Sequence, residues 1–113
     1  MITPYYTQHI RTPETLIYAD PAHRYSVWQH MVSVDGEWLV FVHSYVTDWK
    51  PSTLRAMRAS FAAIRPQLPP VIACMPFRPD RTFHHFITAF GFEQFGTAPC
   101  SDGPDRPLYF HFR

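Results

Sequence analysis

His43 is the side chain best suited to move a proton in this chain. It falls in the second half of an apolar run, Glu37 to Val46, and an imidazole with an ordinary pKa near 6.5 suits general-base work. A packed imidazole with a backbone partner accounts for it at least as readily. His30, on the preceding run Ser26 to Val34, is its diagonal neighbour across a hairpin. Two histidines on adjacent strands can share a metal, but the spacing offers no third ligand, so no metal is expected. His84 and His85 point to different sides of a helical stretch, the pattern of a solvated pair rather than of ligands. Cys74 sits inside the apolar run Val71 to Met75, where a free cysteine usually serves as a small hydrophobe. With Cys100 it makes 2 cysteines, too few for a disulfide framework or a four-ligand zinc site. A single bridge stays open, with reduced thiols in a cytoplasmic protein as the expectation.

A second constellation is basic. Arg55, Arg58 and Arg65 fall on the outer face of a helical stretch, and Arg78 and Arg81 follow. Together they could meet RNA, DNA or an acidic protein. The total balance argues otherwise, since 10 Lys+Arg stand against 9 Asp+Glu for a formal charge of +1. An ordinary solvated helix face is therefore expected, and nucleic acid is not an expected partner.

Composition supports a packed core. Of the 113 residues, 46% are hydrophobic and 17% aromatic, while 17% are charged, against about 25% charged in an average soluble domain. Such a chain can repay its ordering entropy, which excludes intrinsic disorder. No apolar run approaches the roughly 20 residues of a membrane helix. Met1 to Gln8 lacks a basic start followed by an apolar stretch, so no secretory signal is visible. One domain, residues 1–113, is expected, with 1–25 a short N-terminal segment and 26–113 a core of sheet and helices.

The elements that must position these groups read as follows. Thr12-Pro13-Glu14 has the form of a helix start, with a hydroxyl cap, Pro at the first position and an acid in the first turn. Asp20-Pro21 would end that helix. Asp35-Gly36 is a two-residue hairpin signal between two apolar runs. Pairing Val34 with Glu37 sets Val32 against Leu39, His30 against Phe41 and Trp28 against His43. Both faces of this hairpin are largely apolar, so cover on both sides is expected. Leu54, Met57, Phe61, Ile64 and Leu68 recur at helical spacing after Pro51, and Val71 to Met75 reads as a buried strand. The strand–helix–strand step implies a parallel pair. A second helix from near Pro79 buries Phe83, Phe86, Ile87 and Phe90 and stops at Gly91-Phe92. Glu93 to Ala98 and Leu108 to Phe112 complete the sheet, joined through the turn region Ser101-Asp102-Gly103-Pro104.

This order, with the tail from Asp80 to Phe92, resembles the GNAT superfamily of N-acetyltransferases. A looser likeness joins it to small acetyltransferase-like proteins of tailed phages. The resemblance implies an α/β fold with a mixed, mostly antiparallel central sheet flanked by helices on both faces. It also implies acetyl-CoA as cofactor, with its pyrophosphate at the helix opening after Thr47-Asp48-Trp49-Lys50-Pro51-Ser52-Thr53. That stretch departs from the family pattern: it has no glycine, Pro51 removes a donor, Asp48 brings negative charge and Trp49 adds bulk. Lys50, Ser52 and Thr53 could still meet an anion, and Tyr45, Val46 and Thr47 would line the adjoining cleft. The tyrosine that the family often uses to protonate the leaving thiolate is Ile87 here, which has no proton to give. Asp80 stands where an Asn is common, and His43 would be the base.

The eroded motif favours a GNAT-like interaction or assembly protein without catalysis and without bound cofactor. An active acyl-CoA-dependent N-acetyltransferase is the alternative. Large apolar side chains outnumber the helices available to cover them, so Trp28, Trp38, Tyr5 and Tyr6 are expected at a partner surface. The partner would be another protein or a second copy of the chain.

Overall fold

The computed structural model describes residues 12–34, 36–75, 81–100 and 103–113. Its centre is the hairpin of β2 (Tyr25–Val34) and β3 (Glu37–Val46). These strands pair in the register expected from the turn, with Val34 opposite Glu37, His30 opposite Phe41 and Trp28 opposite His43. Asp35 itself lies outside the described residues. From β3 the chain crosses through α1 (Pro51–Ile64) and a single 3-10 turn, Arg65–Gln67, into β4 (Val71–Cys74). As the crossover requires, β3 and β4 pair in parallel, at Phe41 and Ala73. Then α2 (Arg81–Thr88) leads to β5 (Glu93–Cys100) and β6 (Gly103–Phe112). β6 inserts between β4 and β5, giving a six-stranded sheet in the order β1-β2-β3-β4-β6-β5. Pro79 and Asp80, and Ser101 and Asp102 of the last turn, lie outside the described residues.

The first element is a correction. Thr15–Asp20 is a strand, β1, antiparallel to β2 at the edge of the sheet, rather than a short helix. Thr12, read as a helix cap, already bonds to β2: its amide donates to the Met31 carbonyl at 2.9 Å, and its hydroxyl accepts from the Met31 amide at 2.9 Å. Leu-Ile-Tyr after Thr15 favours extended backbone, and the open edge of β2 supplies the partner that a cap signal cannot outweigh. Asp20 closes the connection to β2 by accepting from the His23 amide at 3.0 Å.

The layer arrangement is corrected with it, because among the described residues helices do not flank both faces. Met57, Phe61 and Ile64 of α1 and Phe83, Phe86 and Ile87 of α2 enter one core cluster, together with Val27, Val42, Ile72 and Tyr109 of the sheet. On the opposite face Val32, Phe41, Ala73, Met75, Ala98 and Leu108 form a second cluster. Strand residues and Met75, just after β4, supply it, and no helix among the described residues does. With residues 15–20 a strand, the described residues hold two α-helices, both on the same side.

Smaller differences have local causes. Leu54 is 37% exposed while Thr53 is 2% exposed. The expected stripe of Met57, Phe61, Ile64 and Leu68 holds, but in the first turn of α1 Thr53 takes the inner place instead of Leu54, and its hydroxyl donates to the Asp48 carbonyl at 3.0 Å. α2 ends as expected: Gly91 takes φ +92°, its amide donates to the Thr88 carbonyl at 3.0 Å, and the Phe92 amide reaches the Ile87 carbonyl at 3.4 Å. Those two bonds define the glycine-capped helix end.

Candidate functional site

The expected cofactor loop is closed on itself. α1 opens at Pro51 with Lys50 in the extended cap position and no side-chain cap bond. Lys50 Nζ lies 3.2 Å from Asp48 Oδ2, and the Thr53 hydroxyl is spent on Asp48. Thr47 is tied to the turn before β2, its amide and its hydroxyl both donating to the Arg24 carbonyl, at 3.1 and 3.2 Å. Val46 packs into the helix-side core. Ser52 is half-buried in the first turn of α1. Trp49, 58% exposed, stands edge-on to Phe86 with ring centres 5.3 Å apart.

Cavities give the loop no help. The gap between helices and sheet, lined by Val42, Met57, Phe61, Phe86, Ile87 and Phe92, is about 60 Å³, room for water-sized molecules only. A recess of about 500 Å³ lies between β1–β3 and the 3-10 turn, lined by Thr15, Ile17, Gln29, Met31, Val40 and Leu68. It has the size of a ligand pocket, but none of residues 45–53 lines it. Ile87 is buried in the core.

The polar residues that do converge lie on the other face of the hairpin. Alternation along β2 and β3 puts Trp28, His30, Phe41, His43 and Tyr45 on one side. β1 brings a further residue there: Leu16 pairs with Trp28 and Thr15 with Gln29, which sets Glu14 level with His30. His43 Nε2 is 3.1 Å from Glu14 Oε1. The Tyr45 hydroxyl donates to both Glu14 oxygens, at 2.9 and 3.1 Å. His30 and His43 rings are 5.0 Å apart, and His43 and Tyr45 rings 5.2 Å. His30 is 3% exposed, and the His43 and Glu14 side chains only 16% and 10%. One potential ligand atom from each of Glu14, His30 and His43 falls within 4.8 Å of the others. The pairing of β1 with β2 thus brings Glu14, just before β1, beside the two histidines as a third potential donor that their spacing alone does not show.

Electrostatics follow from this burial. For His43, desolvation outweighs the attraction of Glu14 and holds its pKa below the ordinary value. Burial works against ionisation of Glu14 as well, but the Tyr45 hydroxyl, the His43 imidazole and the N-terminal amine act against it, and the carboxyl stays below its usual range. At neutral pH the site is a carboxylate facing a neutral imidazole. His43 therefore has the protonation state of a base, although its neighbours enclose it and His43 does not face the loop at Lys50.

Other candidates resolve individually. His84 is half-buried, its Nδ1 2.9 Å from the Tyr109 hydroxyl, while His85 is exposed; they are not a solvated pair. Cys74 is a buried free thiol whose pKa burial pushes far up, which leaves it a small hydrophobe. Arg55, Arg58 and Arg81 are exposed, but Arg65 is buried and leaves the basic stripe; Arg78, Tyr5 and Tyr6 lie outside the described residues. Trp38 is 52% exposed, as expected, and Trp28 is half-buried. No apolar core period pointed to Phe95 and Phe112, which are 50% and 54% exposed. Their rings are 5.7 Å apart and meet Phe110 at 6.1 and 6.3 Å. Compared with protein-family models, with curated proteins and with solved structures, the chain matches none.

Proposed function

We propose that this chain is an interaction or assembly protein of GNAT-like element order, with its acyl-CoA apparatus lost, and that it docks through the β5 edge of its sheet. One observation carries the reading: Phe95 and Phe112 are each about half exposed, Phe112 stacks on Phe110, and Phe95 of the edge strand meets both rings edge-on. Grouped, half-exposed aromatics beside an edge strand supply the apolar area that a docking strand or a second sheet would use. The glycine-free helix opening at Pro51, with the Thr53 hydroxyl bonded to Asp48, supports the loss of the acyl-CoA apparatus. The partner on this reading is a second copy of the chain, pairing edge to edge.

Sedimentation velocity over a micromolar concentration series tests it. The wild type should show a reversible monomer–dimer shift, and the double variant Phe95→Ser/Phe112→Ser should stay monomeric with an unchanged circular dichroism spectrum. A wild type that remains monomeric throughout, or a variant that dimerises equally, overturns the reading.

A further inference from the structure

We infer that Glu14, His30 and His43 form a zinc site that fastens the start of β1 to the β2–β3 hairpin. The geometry comes from three separate segments: Glu14 precedes β1, His30 is on β2 and His43 on β3. Their ligand atoms lie within 4.8 Å of one another, the closest pair, His43 Nε2 and Glu14 Oε1, at 3.1 Å. Ligands that bond zinc at about 2.0–2.1 Å in a tetrahedron stand about 3.3 Å apart. The closest pair is already near that spacing, and rotation of side chains covers the remainder.

Donor chemistry selects among metals. Two imidazoles and one carboxylate are nitrogen and oxygen donors of intermediate softness, poor for calcium or magnesium and good for zinc. The same donor set can hold ferrous iron, but an iron site of that type keeps several open positions for reactants. Here His30 is 3% exposed and the other two side chains 16% and 10%. So enclosed a place suits a four-coordinate ion whose fourth position holds one small ligand.

The surroundings are those of a ligand set held in place. Tyr45 donates to both Glu14 oxygens, the outer contact that aims a metal-binding carboxylate. Trp28, opposite His43 in the register, stands edge-on to Tyr45 with ring centres 6.3 Å apart and is fixed by its Nε1 donating to Ser26 Oγ at 2.8 Å. Its indole is therefore placed to report on the site.

The test uses the full chain, stripped with chelator and titrated with zinc sulfate by calorimetry, and with cobalt chloride by absorption. Expected are one zinc per chain, the visible absorption of four-coordinate cobalt, and quenching of tryptophan fluorescence by cobalt that Trp28→Phe removes. Tyr45→Phe should weaken zinc by about ten- to a hundredfold, the effect of losing an outer contact. Glu14→Gln and His30→Gln should weaken it further, and His85→Ala should leave it unchanged. Should His30→Gln fail to fold, Glu14→Gln and Tyr45→Phe decide alone. Absence of zinc binding overturns the inference, and so does binding that survives Glu14→Gln or is lost in His85→Ala.

Discussion

Arg65 shows how much one side chain can hold. Its guanidinium donates to the carbonyls of Pro69, Pro70 and His111 at 2.6, 2.8 and 3.1 Å, and its Nε to His111 Nδ1 at 2.7 Å. The Pro70 carbonyl also accepts from the Arg113 amide at 2.8 Å, so the arginine shares that acceptor with the end of β6 and ties it to Pro69 and His111. Arg65→Met should cost about 2 kcal/mol in urea unfolding, because the charge-assisted bonds to Pro69 and His111 are lost at once, while the Pro70 carbonyl keeps the Arg113 amide. Arg65→Lys should recover only part, a point charge being a poor substitute for a fork. His111 adds a pH dependence. Burial, and then the Arg65 charge, hold its pKa below 6.5. The folded molecule therefore binds that proton less readily than the unfolded chain, so stability is full above 6.5 and falls as the pH drops through it. Between roughly pH 7 and 5, His111→Gln should lose less stability than the wild type; His43 titrates in both proteins and cancels in the difference. Equal slopes would show that His111 contributes nothing. Sequence periodicity placed Arg65 on the outer face of α1, but the helix tightens into a 3-10 turn at that residue and the side chain swings inward. Glu14 was illegible for a related reason: its neighbours Thr12 and Pro13 imitate a cap, and only strand pairing reveals which residues it faces.

At the scale of elements, the β2–β3 hairpin was legible down to its register, because Asp35-Gly36 fixes the turn and alternation fixes the faces. α2 was legible at its end for the same kind of reason, a glycine in a conformation other residues resist. The two glycines differ in surroundings, which makes a comparison possible. Gly36 has φ +83° with nothing near where a Cβ would stand, whereas at Gly91, φ +92°, a Cβ would meet the His111 ring at 3.2 Å. Gly36→Ala should cost about 1 kcal/mol, the backbone term for a left-handed L-residue. Gly91→Ala should cost about 2 kcal/mol, since the ring that must yield is also bonded to Arg65. Thermal unfolding of both variants checks this, and equal losses would mean the His111 ring moves freely. β1 was not legible, because its evidence is tertiary. The six-residue run TLIYAD lies between a helix-like start at Thr12-Pro13-Glu14 and a proline stop at Pro21, and the open edge of β2 decides in favour of a strand.

For the whole molecule, the arrangement of cores decides what can bind. Both helices sit on one face, the space beneath them is about 60 Å³, and no helix among the described residues is long and apolar enough to cross a membrane. The sequence pattern carried the order of strands and helices from β2 onward, including the parallel step; it could not carry the number of covered faces, which depended on the state of residues 15–20. Any ligand of the folded molecule must register in its global stability. Acetyl-CoA at a hundredfold excess over its dissociation constant would add about 2.7 kcal/mol, or about 10 °C in melting temperature for a chain of this size. The expected result is no shift at millimolar acetyl-CoA. The amides that would receive a diphosphate are interrupted by Pro51, the nearby cation Lys50 is paired with Asp48, and no glycine lets a phosphate approach the backbone. Freeing that cation should not rescue binding either, so Asp48→Asn should melt without a shift as well. A rise of several degrees in the wild type that vanishes in Lys50→Ala would reinstate the transferase and displace the docking role, since the loop would then open in solution to admit the cofactor.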